Sequence, residues 1–301
     1  MNVVETAAKI SSMELRGAGK IARSAAEALK KFLMEYSKSD PECFKADFLK
    51  ARDTLKNTRP TAVSLENALN TVINGAMGET VEEIKQSGIK AAERFIENSN
   101  NAVEKVAELI AEKIDPGYTV LTHCNSTVVV KGLIKAHQQN KEIHVFATET
   151  RPWGQGYITS KILADSGVDV TLIVDSAARF FMTECGVDLV LFGADTITRD
   201  GTLINKIGTS QLAVIANEEL IPVYACAESY KFSTTAETGA QVTIEERDVS
   251  EIIEPTELPG VKLQNPVFDR TPPKYIKAII TEFGEISTLD VKGFIEKLNS
   301  G

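Results

Sequence analysis

Long apolar runs, an excess of basic charge and a signal peptide are all missing from this chain of 301 residues. No stretch approaches the roughly 18 consecutive apolar residues that would span a membrane. The N-terminal MNVVETAAKISSMELRGAG contains acidic side chains and no apolar signal-peptide core. Lys and Arg number 33 against 42 Asp and Glu, a net charge of −9 that argues against non-specific nucleic-acid binding. We therefore expect neither a membrane nor a nucleic acid as partner.

Cysteine and histidine are also scarce. The four cysteines include no C-x-x-C pair, which argues against a zinc site and against a disulfide framework. The three histidines lack metal-ligand spacing. The sequence therefore predicts no metal site, and its unpaired cysteines favour a reducing compartment, the cytoplasm.

Helical spacing of apolar residues dominates the first 114 residues, which we predict to be an N-terminal helical domain. Asp40 and Pro41 are typical of a helix start, and two further helical segments are predicted between Thr80 and Ile114. The turn DPG at 115–117 then ends this pattern.

Short β-branched runs alternate with helical stretches in residues 115–301, which we predict to be one Rossmann-like domain. Such alternation is typical of a doubly wound, mainly parallel sheet, so the fold class is α/β. A further helix is predicted at PPKYIKAIITEFG, residues 272–284. The predicted strands are 118–123, 142–148, 169–174, 189–194 and 221–227, and the predicted helices between them are 126–139, 155–166, 176–182 and 208–220.

Polar side chains follow each predicted strand, at the edge where ligands bind in open parallel sheets. Cys124 follows the first strand and precedes a helix, where the helix dipole favours a thiolate. The alternative is a small buried side chain. Asp195 follows the very apolar fourth strand. A dry crevice would raise its pKa and let it act as an acid, whereas the alternative is a helix cap or turn carboxylate.

Basic side chains occur in several of the loops. Asn205 and Lys206 precede a helix that begins near Gly208, a pattern that suits a phosphate, although a capped helix with a solvated lysine is the alternative. The sequence GAGKIA resembles a dinucleotide-binding fingerprint, but a helix precedes it instead of a strand, so we discount it. A cationic lining for a substrate with more than one phosphate could be formed by Arg16, Arg59, Arg151, Lys206 and Lys231.

Taken together, the loops RGAG, HCNS, ETRPWGQG, GADTI…DG…NKIGT and NPVFDRTPP resemble one superfamily over essentially the whole chain. It joins the regulatory subunits of initiation factor 2B to two sugar-phosphate isomerases. SSMELRGAGKIAR and ETRPWGQGYITSKILADSGVDVTLIVDSA are most similar to the archaeal ribose-1,5-bisphosphate isomerase family. The sister family, 5-methylthioribose-1-phosphate isomerase, typically carries proline after RGA, where this chain has Gly19.

The resemblance implies conversion of ribose 1,5-bisphosphate to ribulose 1,5-bisphosphate through a phosphoenolate, without a cofactor. It implies that Asp195 protonates the ring oxygen and that the Cys124 thiolate removes the C2 proton. Asn205 and Lys206 would stabilise the intermediate. The substrate-binding residues that it implies are Arg16, Gly17, Ala18, Gly19, Arg59, Asn125, Arg151, Asn205, Lys206 and Lys231.

Family membership also implies a homo-oligomer, from dimers up to a hexamer, and a place in AMP degradation that supplies a RuBisCO. AMP is a candidate activator, although the sequence indicates no separate nucleotide site. Two alternatives stay open: a regulatory subunit that binds a translation factor, and a 5-methylthioribose-1-phosphate isomerase. The pair Cys124 and Asp195 favours an enzyme, because binding alone would not require it. No role is assigned to His123.

Overall fold

A computed structural model describes residues 1–300 of the chain. The chain forms two compact units, Met1–Ala102 and Val103–Gly301. The division falls inside the long helix α5 (Val81–Lys113). The domain boundary that the sequence places after residue 114 stays a prediction.

The first unit consists of helices and the turns between them. At α3 the Asp40 carboxylate accepts the Cys43 N–H, with Pro41 in the first turn. At α1, Asn2 and Glu5 form a capping box. Apolar faces with Leu29, Leu33 and Leu65 fully buried make the core. Its helices are α1 (Val3–Ser11), α2 (Ala18–Glu35), α3 (Pro41–Lys56), α4 (Val63–Gly75) and the N-terminal part of α5.

The prediction of two helical segments between Thr80 and Ile114 is wrong, because α5 is one helix of 33 residues. Gly88 lies inside it without ending it, as an isolated glycine in a helix can. A Cβ at Gly88 would lie 2.7 Å from Leu33 Cδ1, so the missing side chain lets α5 and α2 approach closely.

The second unit is built on a seven-stranded sheet with the strand order β10-β9-β7-β4-β1-β2-β3. All neighbours are parallel except β10 and β9. The predicted fold class, a helical region followed by a doubly wound and mainly parallel sheet, is confirmed. The strands of this sheet are β1 (Thr119–His123), β2 (His144–Thr148), β3 (Asp169–Ile173), β4 (Leu189–Gly193), β7 (Val223–Cys226), β9 (Ala278–Thr281) and β10 (Gly284–Ile286).

Helices cover both faces of the sheet, and each face has its own apolar core. One core joins the end of α5 with α6 (Thr127–Gln138) and α7 (Gln155–Asp165). The other joins α8 (Ala178–Glu184), α9 (Thr209–Glu218) and α10 (Val291–Ser300). The five predicted strands and the four helices between them are all present, with ends shifted by a few residues.

The predicted helix at 272–284 is wrong. Ala278–Thr281 forms the buried strand β9, which pairs in parallel with β7, and Gly284–Ile286 turns back as β10. Three β-branched residues, Ile279, Ile280 and Thr281, favour a strand once both faces are covered. A short apolar run of this kind does not separate strand from helix by its spacing alone.

A second, three-stranded antiparallel sheet extends from the end of β4. Its strands are β5 (Thr196–Ile197), β6 (Leu203–Lys206) and β8 (Phe268–Thr271), in the order β5-β6-β8. This sheet carries Asn205 and Lys206, and the sequence did not predict it. No helix within residues 1–300 is long and apolar enough to cross a membrane.

Candidate active site

Cys124 occupies the turn between β1 and α6, at the carboxyl edge of the sheet. Its backbone is left-handed, with φ 68°, an unfavourable conformation for a residue with a side chain. Two threonines hold it there: the Cys124 N–H donates to Thr150 Oγ1 at 2.9 Å, and Thr159 Oγ1 donates to the Cys124 carbonyl at 2.8 Å. The backbone of Cys124 is therefore held between the loop after β2 and helix α7.

Asp195 follows β4, the strand beside β1, so both residues lie at the same edge of the sheet. His123 at the end of β1 pairs with Phe192 of β4. The end of β4 also touches the start of α6, since a Cβ added at Gly193 would lie 2.5 Å from Ser126 Oγ. The negative charge of Asp195 is one cause that raises the pKa of Cys124. The structure thus brings the two predicted catalytic residues into one site.

Burial opposes the thiolate that the helix dipole was predicted to favour, and the ionisation state of Cys124 in the working site stays a prediction. Burial raises the pKa of the Cys124 thiol to about 11, with smaller contributions from the charges of Asp195 and Asp175. Lys206 is the charged group that lowers it. Desolvation is the largest of these effects and favours the protonated thiol.

His123 is a structural residue of this edge. Its Nε2 lies 2.8 Å from the Ile207 carbonyl, which can only accept, so Nε2 carries the proton and donates. Nδ1 then accepts from Thr148 Oγ1 at 2.6 Å. Burial lowers the pKa of this imidazole, which keeps it neutral. His123 therefore ties β1 to β2 and to the loop after β6.

Asn205 and Lys206 end strand β6, next to Asp195. The Asp195 N–H donates to the Ile204 carbonyl at 3.0 Å, so Asp195 continues the ladder between β5 and β6. The Asn205 amide is buried and donates to Thr209 Oγ1 at 2.9 Å. The Lys206 ammonium lies 4.9 Å from the centre of the Phe268 ring. Three predicted site residues thus meet around the small sheet.

The N-terminus of α9 does not offer the phosphate cradle that the sequence suggested. The N–H groups of Gly208 and Ser210 donate to Asp269 Oδ2 at 2.7 and 3.1 Å. A carboxylate of the protein therefore fills the position that an external anion would take. Burial raises the pKa of Asp269 to about 6. Sequence reasoning missed Asp269, although it lies in NPVFDRTPP, one of the motifs that carry the resemblance.

The other predicted binding residues of this unit differ in their surroundings. Arg151 is exposed, and its Nη2 donates to the Ile252 carbonyl at 3.0 Å. Lys231 is buried, and its ammonium pairs with the buried Glu228 carboxylate at 2.7 Å. Asn125 is exposed and accepts from Thr159 Oγ1 at 3.1 Å. A loop cation was predicted at Lys231, and the structure buries it in an ion pair.

The predicted binding residues of the first unit lie in two neighbouring loops. Arg16 is exposed, and its Nε donates to the Met13 carbonyl at 2.7 Å. Gly17, with φ 87°, precedes α2, so Ala18 and Gly19 lie in the first turn of that helix. Arg59 lies in the turn between α3 and α4. The helices that follow the two loops are linked at their first turns, where Ser64 Oγ of α4 donates to the Ala18 carbonyl of α2 at 3.3 Å.

Several polar residues around the site escaped sequence reasoning. The Asp175 carboxylate accepts the N–H groups of Thr150 and Arg151 at 2.8 and 2.7 Å, which fixes the loop after β2. Gln155 Oε1 is buried and accepts no hydrogen bond from residues 1–300. Arg247 stacks 4.9 Å from the centre of the Trp153 ring. Arg247 lies in the polar excursion between β7 and β8, where the spacing gives no signal.

The chain matches a known protein family and is similar to several named proteins. The sequence model described as the initiation factor 2 subunit family matches residues 14–288. The chain belongs to this family. A member from Archaeoglobus fulgidus, named ribose 1,5-bisphosphate isomerase, is 51% identical over 94% of this chain and 89% of its own length.

Two solved structures have the same fold. The translation initiation factor eIF-2B of Pyrococcus horikoshii OT3 gives a TM-score of 0.83 at 29% identity, over 95% of this chain and 96% of its own. The 5-methylthioribose 1-phosphate isomerase of the same organism gives a TM-score of 0.82 at 32% identity, over 99% of this chain and 88% of its own. The resemblance inferred from the loop motifs is thereby confirmed.

Proposed function

We propose that this chain is a ribose 1,5-bisphosphate isomerase that produces ribulose 1,5-bisphosphate. The observation that carries the proposal is the placement of Cys124, Asp195 and Lys206 at one edge of the sheet, with the charges of Asp195 and Lys206 acting on the thiol. The name of the Archaeoglobus fulgidus relative supports it. A site built only for binding has no need of a thiol and a carboxyl group that influence each other.

The first half of the reaction opens the sugar ring. A base removes the proton on C2, the electron pair forms the C1–C2 double bond, and the bond from C1 to the ring oxygen breaks. Asp195 donates a proton to that oxygen, which becomes the C4 hydroxyl, and Cys124 is the base. In the second half, protonated Cys124 gives its proton to C1 and the Asp195 carboxylate takes the proton of the C2 hydroxyl, which gives the ketone and restores both groups. In net terms two protons move: C2 loses one from its carbon and one from its hydroxyl, and C1 and the ring oxygen gain one each.

One proton passed within the pair would prepare both groups. The resting thiol is protonated, with a pKa of about 11, so it becomes a base only after it gives up its proton. Transfer from Cys124 to Asp195 creates the thiolate base and the carboxylic acid at the same time. The positive charge of Lys206 favours the thiolate that this transfer creates. The same ammonium would stabilise the negative charge of the phosphoenolate.

Binding of two phosphates calls for several cations. We propose Lys206 and Arg151 of the second unit for this role. In the first unit, the family likeness points to Arg16, Arg59 and the backbone of Gly17, Ala18 and Gly19. Asn125 would contact the sugar. Lys231 would contribute only if the substrate displaces Glu228 from its ammonium. Asn205 would act through its amide, which donates to Thr209 Oγ1, the group that donates to the Lys206 carbonyl.

The cellular setting is proposed from the family likeness. We propose a cytoplasmic homo-oligomer, a dimer or a hexamer built from dimers, that acts in AMP degradation with AMP as an activator and needs no cofactor. The free state of all four cysteines is consistent with a reducing compartment.

Incubation of the purified protein with ribose 1,5-bisphosphate, with and without AMP, tests the proposal by NMR. Appearance of ribulose 1,5-bisphosphate is expected, and both Cys124→Ser and Asp195→Asn should lower the rate by about a hundredfold or more while bisphosphate still binds. Preferential turnover of 5-methylthioribose 1-phosphate would assign the sister activity. Absence of any turnover would favour a regulatory binding protein.

A further inference from the structure

Asp269 is a charged group close to the site that the proposed chemistry does not use. It lies in β8 opposite Asn205 of β6, and its Oδ2 accepts the N–H groups of Gly208 and Ser210. These donors open helix α9, which begins three residues after Lys206. The carboxylate therefore closes the turn that leads away from Lys206.

The same turn has further anchors. His123 Nε2 donates to the Ile207 carbonyl at 2.8 Å, and the Ile207 N–H donates to the Val267 carbonyl at 2.9 Å. Thr209 Oγ1 donates to the Lys206 carbonyl at 2.7 Å. Asp269 holds the side of the turn that faces α9, so its loss would free the backbone on the helix side of Lys206.

Lys206 connects this turn to the thiol. Its positive charge lowers the pKa of Cys124 against the larger effect of burial. A displacement of the ammonium would remove this contribution. Any residue that fixes the turn after Lys206 thus acts on the chemistry of Cys124 without touching it.

The Asp269 carboxylate is retained against a folding cost. Its Oδ1 is buried and accepts no hydrogen bond from residues 1–300. Burial raises the pKa of Asp269 to about 6, above its ordinary value of 3.8, so the fold favours the protonated form. This contribution to stability is complete below about pH 4 and is lost as the pH rises through 6. At neutral pH, a neutral side chain of the same shape should fold at least as well.

We propose that Asp269 is a positioning residue, which holds the Gly208–Ser210 turn so that the Lys206 ammonium stays close to Cys124. The effect on turnover rests on the proposed function. The effect on the thiol does not, because it is a property of the protein without substrate. The two can therefore be tested separately.

The first experiment measures alkylation of Cys124 by iodoacetamide in the full chain without substrate, followed by mass spectrometry of the peptide. A background of Cys43→Ser and Cys185→Ser removes the two exposed thiols. Asp269→Ala should slow alkylation by about threefold or more at constant pH, because less thiolate is present. Asp269→Asn keeps one acceptor without the charge and should lie between Asp269→Ala and the parent.

The direction of the change separates positioning from a loss of structure. A turn that merely loosened would expose Cys124 and speed its alkylation, so a faster or unchanged rate in both variants overturns the proposal. Asp269→Asn guards against a misfolded Asp269→Ala, because it should melt no lower than the parent. Asp40→Asn is the matched control: it removes a carboxylate that caps α3 in the first unit and should leave Cys124 unchanged.

A double-mutant cycle tests whether Asp269 acts through Lys206. Lys206→Met should slow alkylation by itself, and adding Asp269→Ala should slow it little further, since the ammonium is already gone. Full additivity of the two effects would contradict the proposal.

Turnover provides the second readout if the protein isomerises the bisphosphate. Asp269→Ala should lower kcat about ten- to a hundredfold, the scale of a small misplacement of a reacting group, with a smaller change in KM. A larger change in KM than in kcat would contradict positioning. If the parent has no isomerase activity, the proposed function fails, and the alkylation experiment still decides the role of Asp269.

Discussion

At the residue scale, the site combines two unfavourable features at Cys124: a left-handed backbone and a thiol that is desolvated although the residue is partly exposed. The first persists because Thr150 and Thr159 bind the N–H and the carbonyl of this residue. The second suppresses ionisation in the absence of substrate. A protonated thiol at rest is also protected from oxidation, which requires the thiolate.

The raised pKa of Cys124 predicts a stability change at alkaline pH. Because the folded thiol has a pKa of about 11 against an ordinary value of 9.0, its contribution is complete below pH 9 and is lost as the pH rises through 11. The loss is at most about 3 kcal/mol and smaller because Cys124 is partly exposed. Between pH 8 and 10.5, the free energy of unfolding measured in urea should fall less for Cys124→Ala than for the parent. Cys185→Ala, at an exposed thiol, should behave like the parent.

Contact between Gly193 and Ser126 predicts a substitution that harms the site from outside the reacting groups. A Cβ at Gly193 would lie 2.5 Å from Ser126 Oγ and 2.6 Å from Ser126 Cβ. Gly193→Ala should push the turn that carries Cys124 and lower kcat by about tenfold or more. Adding Ser126→Gly should restore much of the rate, as steady-state kinetics can show. An equally slow double variant would mean that this contact does not set the position of Cys124.

At the scale of secondary-structure elements, close approach of backbones decides where the catalytic loops lie. Gly156 in the first turn of α7 has an ordinary φ, so it is not needed for a left-handed turn. A Cβ there would lie 1.8 Å from the Thr148 carbonyl oxygen. The glycine therefore lets α7 approach the end of β2, which places the loop containing Arg151 and Trp153.

Gly156→Ala should consequently destabilise the protein by about 3 kcal/mol or more, because the backbone of β2 cannot move aside as a flexible side chain could. Gly293→Ala is the matched control, since Gly293 is also helical and an added Cβ meets no atom within 4 Å. That control should be neutral or stabilising by up to about 1 kcal/mol. Denaturant unfolding compares the two. Similar stabilities would show that α7 can shift without cost.

At the scale of the whole molecule, the proposed substrate-binding cations are Arg16 and Arg59 in the helical unit and Lys206 and Arg151 in the sheet unit, and each is tested by itself. A chain with a net charge of −9 attracts a bisphosphate only through such local groups. The contribution of each of these residues to the free energy of substrate binding can therefore be measured separately.

Ribose 1,5-bisphosphate should stabilise the protein against heat. At about a hundredfold excess over Kd, binding contributes about 2.7 kcal/mol, which raises the melting temperature by about 5 °C for a chain of this size. Arg59→Ala and Lys206→Ala should each reduce the shift, measured by scanning fluorimetry, while the exposed control Lys161→Ala should not. An undiminished shift for Arg59→Ala would remove Arg59 from the binding residues.

The sequence was sufficient for the order of five strands of the main sheet and the helices between them, and for the edge of the sheet where polar groups meet. Spacing placed β1, β2, β3, β4 and β7, because each is a short apolar, β-branched run between turns. It failed at β9, where the same kind of run was assigned to a helix. It also missed the pairing of β6 with β8, which joins residues more than 60 positions apart and has no local signal.

The sequence by itself determined which residue types stand at the ends of the strands: a thiol, a carboxyl group, an amide and a lysine. Only the tertiary structure decided their states. Burial favours the protonated thiol of Cys124, Glu228 pairs with Lys231, and Asp269 accepts an N–H group at the N-terminus of α9. These outcomes depend on desolvation and on partners distant in the chain, which are properties of packing and not of local spacing.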